Sequence, residues 1–235
     1  MAIVATHILT AASGSGLNSY ATASGSPTTG RLQLLFVGHQ QSATTVVTPT
    51  VTGAGLTWVQ IATSVASDNL RRGTLFRALG TASAGVLTID MGGVTQIRAG
   101  WSWSEFTGAD TSGADGAGAI VQSATARRDF ADGAQTSITV TLAAFGSANN
   151  ATYGAMRFGD FGTVTVGSGF SELGTALAGS VTYTSEFKNT NDTTVDWTFP
   201  SVASFTQAIA VEIKEATTTG VNTSRKNYIS NMVSI

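Results

Sequence analysis

Apolar residues in this chain occur in short runs, rich in β-branched and aromatic residues and bounded by Gly, Ser, Asn or Asp. This pattern is typical of antiparallel strands, and no segment has convincing helical spacing. About a dozen strands cannot share one open sheet without excessive twist, so the pattern predicts an all-β, two-sheet antiparallel sandwich. The predicted strands are Ile3–Thr10, Leu32–Gly38, Thr57–Ala62, Thr74–Leu79, Val86–Met91, Ile97–Phe106, Ala119–Ala126, Thr136–Leu142, Tyr153–Phe158, Val164–Val166, Val181–Phe187, Thr194–Phe199 and Thr206–Ile213.

Two of these strands differ in how their faces are covered. The segment Ser137–Leu142 alternates between hydroxyl and aliphatic residues, which predicts a strand with one solvated face. The segment Leu34–Val37 is continuously apolar, which predicts burial on both faces. We expect the opposite sheet to cover its inner face, and a loop or a neighbouring chain to cover its outer face.

Charge is scarce and unevenly distributed. Charged residues make up 11% of the chain, and Arg31 is the only one before Asp68. A long uncharged stretch indicates either strands buried on both faces or a surface covered by another subunit. A net charge of -2 with three lysines argues against nucleic-acid binding, and the absence of cysteine excludes disulfides and thiolate metal sites.

The remaining organisation follows from composition. Residues 1–10 lack the basic and apolar segments of a signal peptide, and polar residues interrupt the uncharged stretch 32–67, so we expect no membrane span. We predict one sandwich domain over 1–215 and an extended C-terminal arm over 216–235. Within the sandwich, residues 11–30 form a long Ser/Gly/Thr-rich connection for which we expect no core role.

The most aromatic strand carries the first candidate binding site. Period-two spacing places Trp101 and Trp103 on one face, where paired indoles could form a platform for stacking sugars. The alternative is that they fill the core beside Trp58 and Trp197, and we favour it because large aromatics dominate β cores.

No motif predicts catalysis. Glu105 and Asp110 flank a turn as the one acidic pair that could act as acid and base, but the other acids follow no template. His7 and His39 lie in no nucleophile or metal pattern, and the Asp-rich loops 110–115 and 189–192 lack the spacing of a calcium site. We therefore expect a protein that is not an enzyme and that has no cofactor or metal.

Four segments, taken in order, resemble an uncharacterised β-sandwich family of tailed-phage structural proteins and bacterial surface or prophage proteins. In that family the strands read roughly D-G-D-L-L-L-A-F-V, P-x-G-W-x-x-V, L-x-V-Y-x-R and F-x-G-V-D. The resemblance covers about residues 30 to 215 and implies a jelly-roll-like sandwich exposed on a virion or cell surface. This chain departs from the pattern at 31–33, where acids are common in the family. The matching segments are Gly30–Val37, Gly55–Trp58, Leu75–Gly80 and Trp103–Gly113.

These observations lead us to expect a virion structural protein on the outer surface of a bacteriophage particle. The favoured role is a head decoration or cement protein that forms a homo-oligomer, with a trimer favoured, and that contacts the major capsid protein or tail components. The alternative is a glycan- or receptor-binding module that uses Trp101 and Trp103. We expect the arm to become ordered on binding its partner. Its candidate contact residues are Asn222, Arg225, Lys226, Tyr228, Ile229, Met232 and Val233.

Overall fold

The computed structural model describes residues 2–43, 45–160 and 162–217. These residues form sixteen strands and two short 3-10 segments, Ala114–Ala119 and Phe130–Asp132. No helix in this part of the chain is long and apolar enough to cross a membrane. The strands are β1 (Val4–Ser13), β2 (Ser19–Ala21), β3 (Leu32–Gln40), β4 (Thr50–Gly53), β5 (Val59–Val65), β6 (Arg71–Ala78), β7 (Leu87–Asp90), β8 (Arg98–Thr107), β9 (Ile120–Arg128), β10 (Gln135–Thr141), β11 (Ala151–Phe158), β12 (Thr165–Val166), β13 (Ser171–Ala178), β14 (Val181–Lys188), β15 (Thr194–Val202) and β16 (Thr206–Ile213).

The first eight strands form a jelly-roll-like unit. One sheet has the order β1-β8-β3-β6-β5 and a smaller sheet has the order β2-β7-β4, with every neighbouring pair antiparallel. A jelly roll has the orders 1-8-3-6 and 2-7-4-5 in its two sheets. This unit departs from that arrangement only because β5 pairs with β6, its hairpin neighbour, instead of β4.

The last eight strands repeat this topology. Their large sheet has the order β9-β16-β11-β14-β13 and their small sheet has the order β10-β15-β12. Each strand of the second unit has the same place in its sheet as the strand numbered eight lower has in the first unit. We call the two units the first repeat (4–107) and the second repeat (120–213). The chain is therefore a tandem pair of jelly-roll-like units.

The two repeats pack through their large sheets and form a four-layer sandwich. Strand β3 lies over β11, β1 over β13 and β5 over β9, so the two sheets are related by an approximate two-fold rotation. Side chains from both repeats share one central core. Its larger members are Ile3, Leu32, Leu34, Phe36, Leu75, Phe106, Tyr153, Tyr183, Phe187, Ile209, Val211 and Ile213.

Each small sheet covers the outer face of the large sheet in its own repeat. In the first repeat, Leu35 and Val37 pack there with Tyr20, Ile89 and Trp101. An equivalent cluster in the second repeat is built around Met156, Phe158 and Trp197. The predicted burial of 34–37 on both faces is confirmed, and the outer cover is the chain's own β2-β7-β4 sheet.

A row of glycines in the first repeat faces a row of large polar side chains in the second. The ring of Tyr183 rests directly on Gly100 and Gly38, where any Cβ would overlap it. Strand register places both rows at equivalent positions of the two repeats. The glycine row is Gly73, Gly38 and Gly100, and the polar row is Tyr183, Arg157 and Gln207.

The predicted all-β antiparallel sandwich is confirmed, but it has sixteen strands in four sheets where about a dozen strands in two sheets were expected. The additional strands are β2, β4 and β13, which are short or rich in Gly and Ala and so give little β signal. The expectation that 11–30 has no core role is wrong. Tyr20 is 2% exposed, with its ring centroid 6.0 Å from that of Trp101, and Gly25 lies against the ring of Trp103.

Candidate functional site

The two tryptophans of β8 lie inside the protein. Trp101 is 4% exposed and Trp103 is completely buried, and the Trp103 Nε1–H donates to Gln33 Oε1 at 2.9 Å. Trp58 packs edge-on against Trp103 with ring centroids 5.8 Å apart, whereas Trp197 lies in the outer core of the second repeat. The favoured interpretation of Trp101 and Trp103 as core residues is therefore confirmed, and the alternative sugar platform is wrong, because β2, β4 and β7 cover that face of β8.

Glu105 is a buried carboxylate held by donors from its own repeat. Its oxygens accept from the Thr28 N–H at 2.7 Å, the Thr28 hydroxyl at 3.0 Å and Gln33 Nε2 at 3.3 Å, and Arg31 Nη1 lies 2.6 Å away. Burial alone raises the pKa of Glu105, but these hydrogen bonds and the Arg31 charge outweigh it and lower the pKa. Glu105 is therefore ionised at neutral pH, and it connects the segment before β3 to β8 through Thr28 and Arg31.

Asp110 is bound by different partners. Lys214 Nζ lies 2.7 Å from its Oδ2, and the Ser112 N–H donates to Oδ1 at 2.7 Å. The hydrogen bond from Lys214, followed by those from Ser112, lowers the pKa of Asp110 to about 2. Glu105 and Asp110 each have a cation of their own, so they do not act as an acid and base pair on a shared ligand.

The second repeat contains a counterpart of Glu105 that the sequence patterns did not reveal. Glu105 lies opposite Gln33 in the β8–β3 pair, and Glu212 lies opposite Thr152 in the β16–β11 pair. These two strand pairs are equivalent in the two repeats, so the two glutamates occupy equivalent positions. Glu212 is buried and accepts from Asn150 Nδ2 at 2.5 Å and Gln122 Nε2 at 2.6 Å. The sequence gives one sign that these two glutamates are equivalent: each is followed by an apolar residue near the C-terminal end of the last strand of its repeat, β8 or β16.

The two histidines make structural contacts. His7 Nε2 lies 3.2 Å from the Thr10 hydroxyl and Nδ1 lies 3.5 Å from the Ser104 hydroxyl, while partial burial lowers the His7 pKa. His39 Nδ1 lies 2.7 Å from Gln96 Oε1, and burial lowers its pKa to about 4, so the ring is neutral at pH 7. Among the described residues, no carboxylate hydrogen-bonds to either ring, and the histidines complete no catalytic triad.

In each of the two Asp-rich loops, one carboxylate is already bound by a lysine and a backbone N–H. The Asp192 carboxylate contacts Lys188 Nζ at 2.7 Å and accepts from the Thr194 N–H at 2.9 Å, and Asp110 is bound as described above. Within residues 2–43, 45–160 and 162–217, no cluster of three or more His, Asp or Glu side chains could hold a metal ion.

The predicted arm residues, from Asn222 to Val233, lie outside the described residues, so their role stays a prediction. The structure does show how the chain is attached just before them. The Ala216 N–H donates to the Gly108 carbonyl at 2.8 Å, and Glu215 forms a β-bridge with Ala109. Residues up to 216 are therefore fastened to the sandwich.

The two broad outer faces of the sandwich are almost free of charge. They are the solvent sides of the small sheets, and we call them the neutral faces. The charged exceptions are Asp90 at the end of β7 and Asp196 in β15. The other exposed residues of these strands carry no charge, and most bear a hydroxyl. They are Ser19, Ala21, Thr50, Thr52 and Thr88 in the first small sheet, and Thr136, Thr139, Thr141, Thr165, Thr194, Thr198, Pro200 and Ser201 in the second.

No protein-family model, curated protein or solved structure shows significant similarity to this chain.

Proposed function

We propose that the protein is a structural subunit of a bacteriophage virion that decorates or cements the outside of the capsid through surface contacts. The observation that carries this proposal is the pair of neutral faces. They are broad and covered by hydroxyl and methyl groups, and each has one carboxylate.

Covering such a face with another subunit has a small desolvation penalty. Removing an ion from water costs several kcal/mol unless it is paired, whereas a threonine face loses only hydroxyl hydration and gains contacts for its methyl groups. Burial of apolar area contributes roughly 25 cal/mol per Å², and many copies on one particle add their contacts together.

Two further features support a role in assembly. The acidic side chains considered for catalysis, Glu105 and Asp110, are internal ties. The jelly roll is an architecture used by viral capsid proteins as well as by lectins. Together with the resemblance to tailed-phage structural proteins, this favours a virion surface, a homo-oligomer with a trimer favoured, and the major capsid protein or tail components as partners.

Copy number tests the proposed position in the particle. Quantitative mass spectrometry of purified virions should find the chain in hundreds of copies, since a cement protein follows the capsid lattice. A few copies per particle would instead indicate a tail fibre or adhesin, and absence from the particle would contradict the proposal.

Charge placed on a neutral face tests the contact surface. Thr139→Lys and Thr52→Lys each add an unpaired cation to one face, and we expect at least one of them to weaken attachment more than about tenfold, or 1.4 kcal/mol. Ser147→Lys is the matched control, since Ser147 is exposed in a loop between β10 and β11. Attachment equal to wild type in both face variants would show that neither face is the contact surface.

The arm is tested separately. A chain ending at Thr217 should keep the unfolding midpoint of the full chain and bind stripped particles less well. Undiminished binding would remove the arm from the proposal while leaving the neutral faces to be judged by the lysine variants.

A further inference from the structure

A cavity of about 390 Å³ opens at one end of the sandwich, between the two repeats. It lies where β3 and β11 end and where β6, β8 and β14 begin. The first repeat contributes Arg71 and Arg98 to its wall. The second repeat contributes Ser180 and Phe205, and Phe130 lies at the same opening. Pockets of this size accommodate small ligands.

A third arginine lies beneath the cavity. Arg157 is completely buried, and it donates from Nη2 to Gln40 Oε1 at 2.7 Å and from Nη1 to the Phe205 carbonyl at 3.2 Å. Burial first, and then repulsion from Arg71 and Arg98, lowers the Arg157 pKa to about 10, so the group stays charged at pH 7.

Positive charge exceeds negative charge on the wall of this cavity. Among its described lining residues, Arg71 and Arg98 are cations and Asp160 is the one carboxylate. Arg157 adds a third guanidinium beneath the wall. Outside the lining, Asp68 forms an ion pair with Arg71 and Asp129 forms one with Arg127, while Asp132 ends the 3-10 segment that begins at Phe130.

Arg98 retains donors for a ligand. Its Nη1 makes long hydrogen bonds to the Ala178 carbonyl, at 3.4 Å, and to the Ser180 hydroxyl, at 3.2 Å. A guanidinium has five N–H groups, and in the described part of the chain no acceptor uses those on the other two nitrogens of Arg98. A planar guanidinium with free donors matches the two oxygens of a carboxylate.

An apolar wall stands beside these charges. The Arg71 guanidinium lies over the Phe205 ring, 3.9 Å from its centroid, and the Phe130 ring centroid is 6.4 Å from that of Phe205. Phe130 is 63% exposed, the most exposed of the large hydrophobic side chains in the described residues. An exposed aromatic beside a cationic cavity can contact the C–H face of a ring while the cations hold its acid group.

We propose that this cavity binds one carboxylate-bearing sugar unit, such as a hexuronate, with its carboxylate on Arg98 and its ring against Phe130. The site is independent of the tryptophans of β8, and it does not rest on the proposed role in a virion.

The test is a titration of the full chain with sodium glucuronate. Isothermal calorimetry and two-dimensional NMR each monitor the binding. We expect saturable binding of glucuronate and at least about tenfold weaker binding of glucose and of sulfate at the same ionic strength. Glucose lacks the anion and sulfate lacks the ring, so each tests one half of the recognition.

The variants separate the site from general electrostatics. Arg98→Gln should weaken glucuronate binding at least about tenfold, and Arg98→Lys should restore only part of it. The control is Arg127→Gln, since the Arg127 side chain is 52% exposed at the same end of the sandwich and pairs with Asp129. It removes the same charge and should bind glucuronate as wild type does.

Phe130→Ser provides a second variant at an exposed position that should not disturb folding. It should weaken glucuronate binding several-fold and leave sulfate binding unchanged. The proposal is overturned if wild type does not bind glucuronate, if sulfate binds equally well, or if Arg127→Gln loses as much binding as Arg98→Gln.

Discussion

Adding one methyl group at Gly100 tests whether the Tyr183 ring locks the two repeats together. A Cβ at this position would overlap Cγ and Cδ2 of Tyr183 and lie 2.7 Å from Cε2. The opposite edge of the ring lies against Gly38, where a Cβ would lie 2.8 Å from Cε1, so the Gly38 backbone limits how far the ring can shift away from Gly100. Overpacking a dense core costs about 1–3 kcal/mol, and overlap with Cγ, which is anchored close to the backbone, places Gly100→Ala near 3 kcal/mol.

Two unfolding experiments measure this cost, both monitored by circular dichroism: urea titration gives the free energy of unfolding, and heating gives the melting temperature. A chain of this size loses roughly 2–4 °C of melting temperature per kcal/mol, so Gly100→Ala should melt roughly 6–12 °C below wild type. Gly14→Ala is the matched control: it adds the same methyl group where no atom lies within 4 Å, and it should change the free energy of unfolding by less than about 0.5 kcal/mol.

A double-mutant cycle assigns the cost to Tyr183. In a Tyr183→Ala background the obstacle is gone, so Gly100→Ala should cost at least about 1 kcal/mol less than it does in wild type. The reasoning is refuted if Gly100→Ala is as mild as Gly14→Ala, or if its cost is the same in both backgrounds.

Three further predictions concern buried or paired carboxylates and the pH dependence of stability. Burial raises the pKa of Glu186 to about 8, although the Gly167 N–H donates to it at 2.9 Å, so the free energy of unfolding should fall as pH rises from 4.5 to 8. Glu186→Gln should flatten that dependence in urea titrations at pH 5 and 9, and an unchanged slope would contradict the assignment. The lowered pKa of Glu105 means that its contribution is complete above pH 4.5 and is lost as pH falls through the folded-state value. Glu105→Gln should cost about 1–3 kcal/mol at pH 7, with a smaller difference from wild type below pH 4; a constant difference would oppose this account. Asp110→Asn should behave similarly, because the Asp110 contribution is lost between pH 3.8 and about 2, and its melting temperature should differ most from wild type near neutral pH.

Strand positions were largely predictable because most strands here carry β-branched or aromatic side chains. The continuous run Leu34–Val37 also predicted that two layers cover β3, which the structure confirms. The spacing of Trp101 and Trp103 placed both indoles on one face, but it could not show what covers that face. The cover includes β2 and β4, which are too short for a recognisable period.

The tandem architecture was not predictable from a fixed sequence period. Loops of different length separate equivalent strands, so β1 and β9 differ in position by more than β8 and β16 do. Equivalent core positions also carry different residues, such as Gly38 and Arg157. The buried glutamates Glu105 and Glu212 are one of the few matches, and a lone glutamate near a strand end does not identify a repeat.

The two large sheets meet through their inner faces, one of which carries the glycine row and the other the polar row. This difference limits how two chains could associate. If two first-repeat faces met, the glycine row would face another glycine row and leave a cavity. If two second-repeat faces met, Tyr183 would crowd Tyr183 and the buried Arg157 charges would oppose each other. The glycine row and the polar row fit only one another, and that fit is satisfied within a single chain. If chains associate as proposed, their contacts would have to use the neutral faces, the strand edges or the sandwich ends, and of these the neutral faces expose one carboxylate each in their strands.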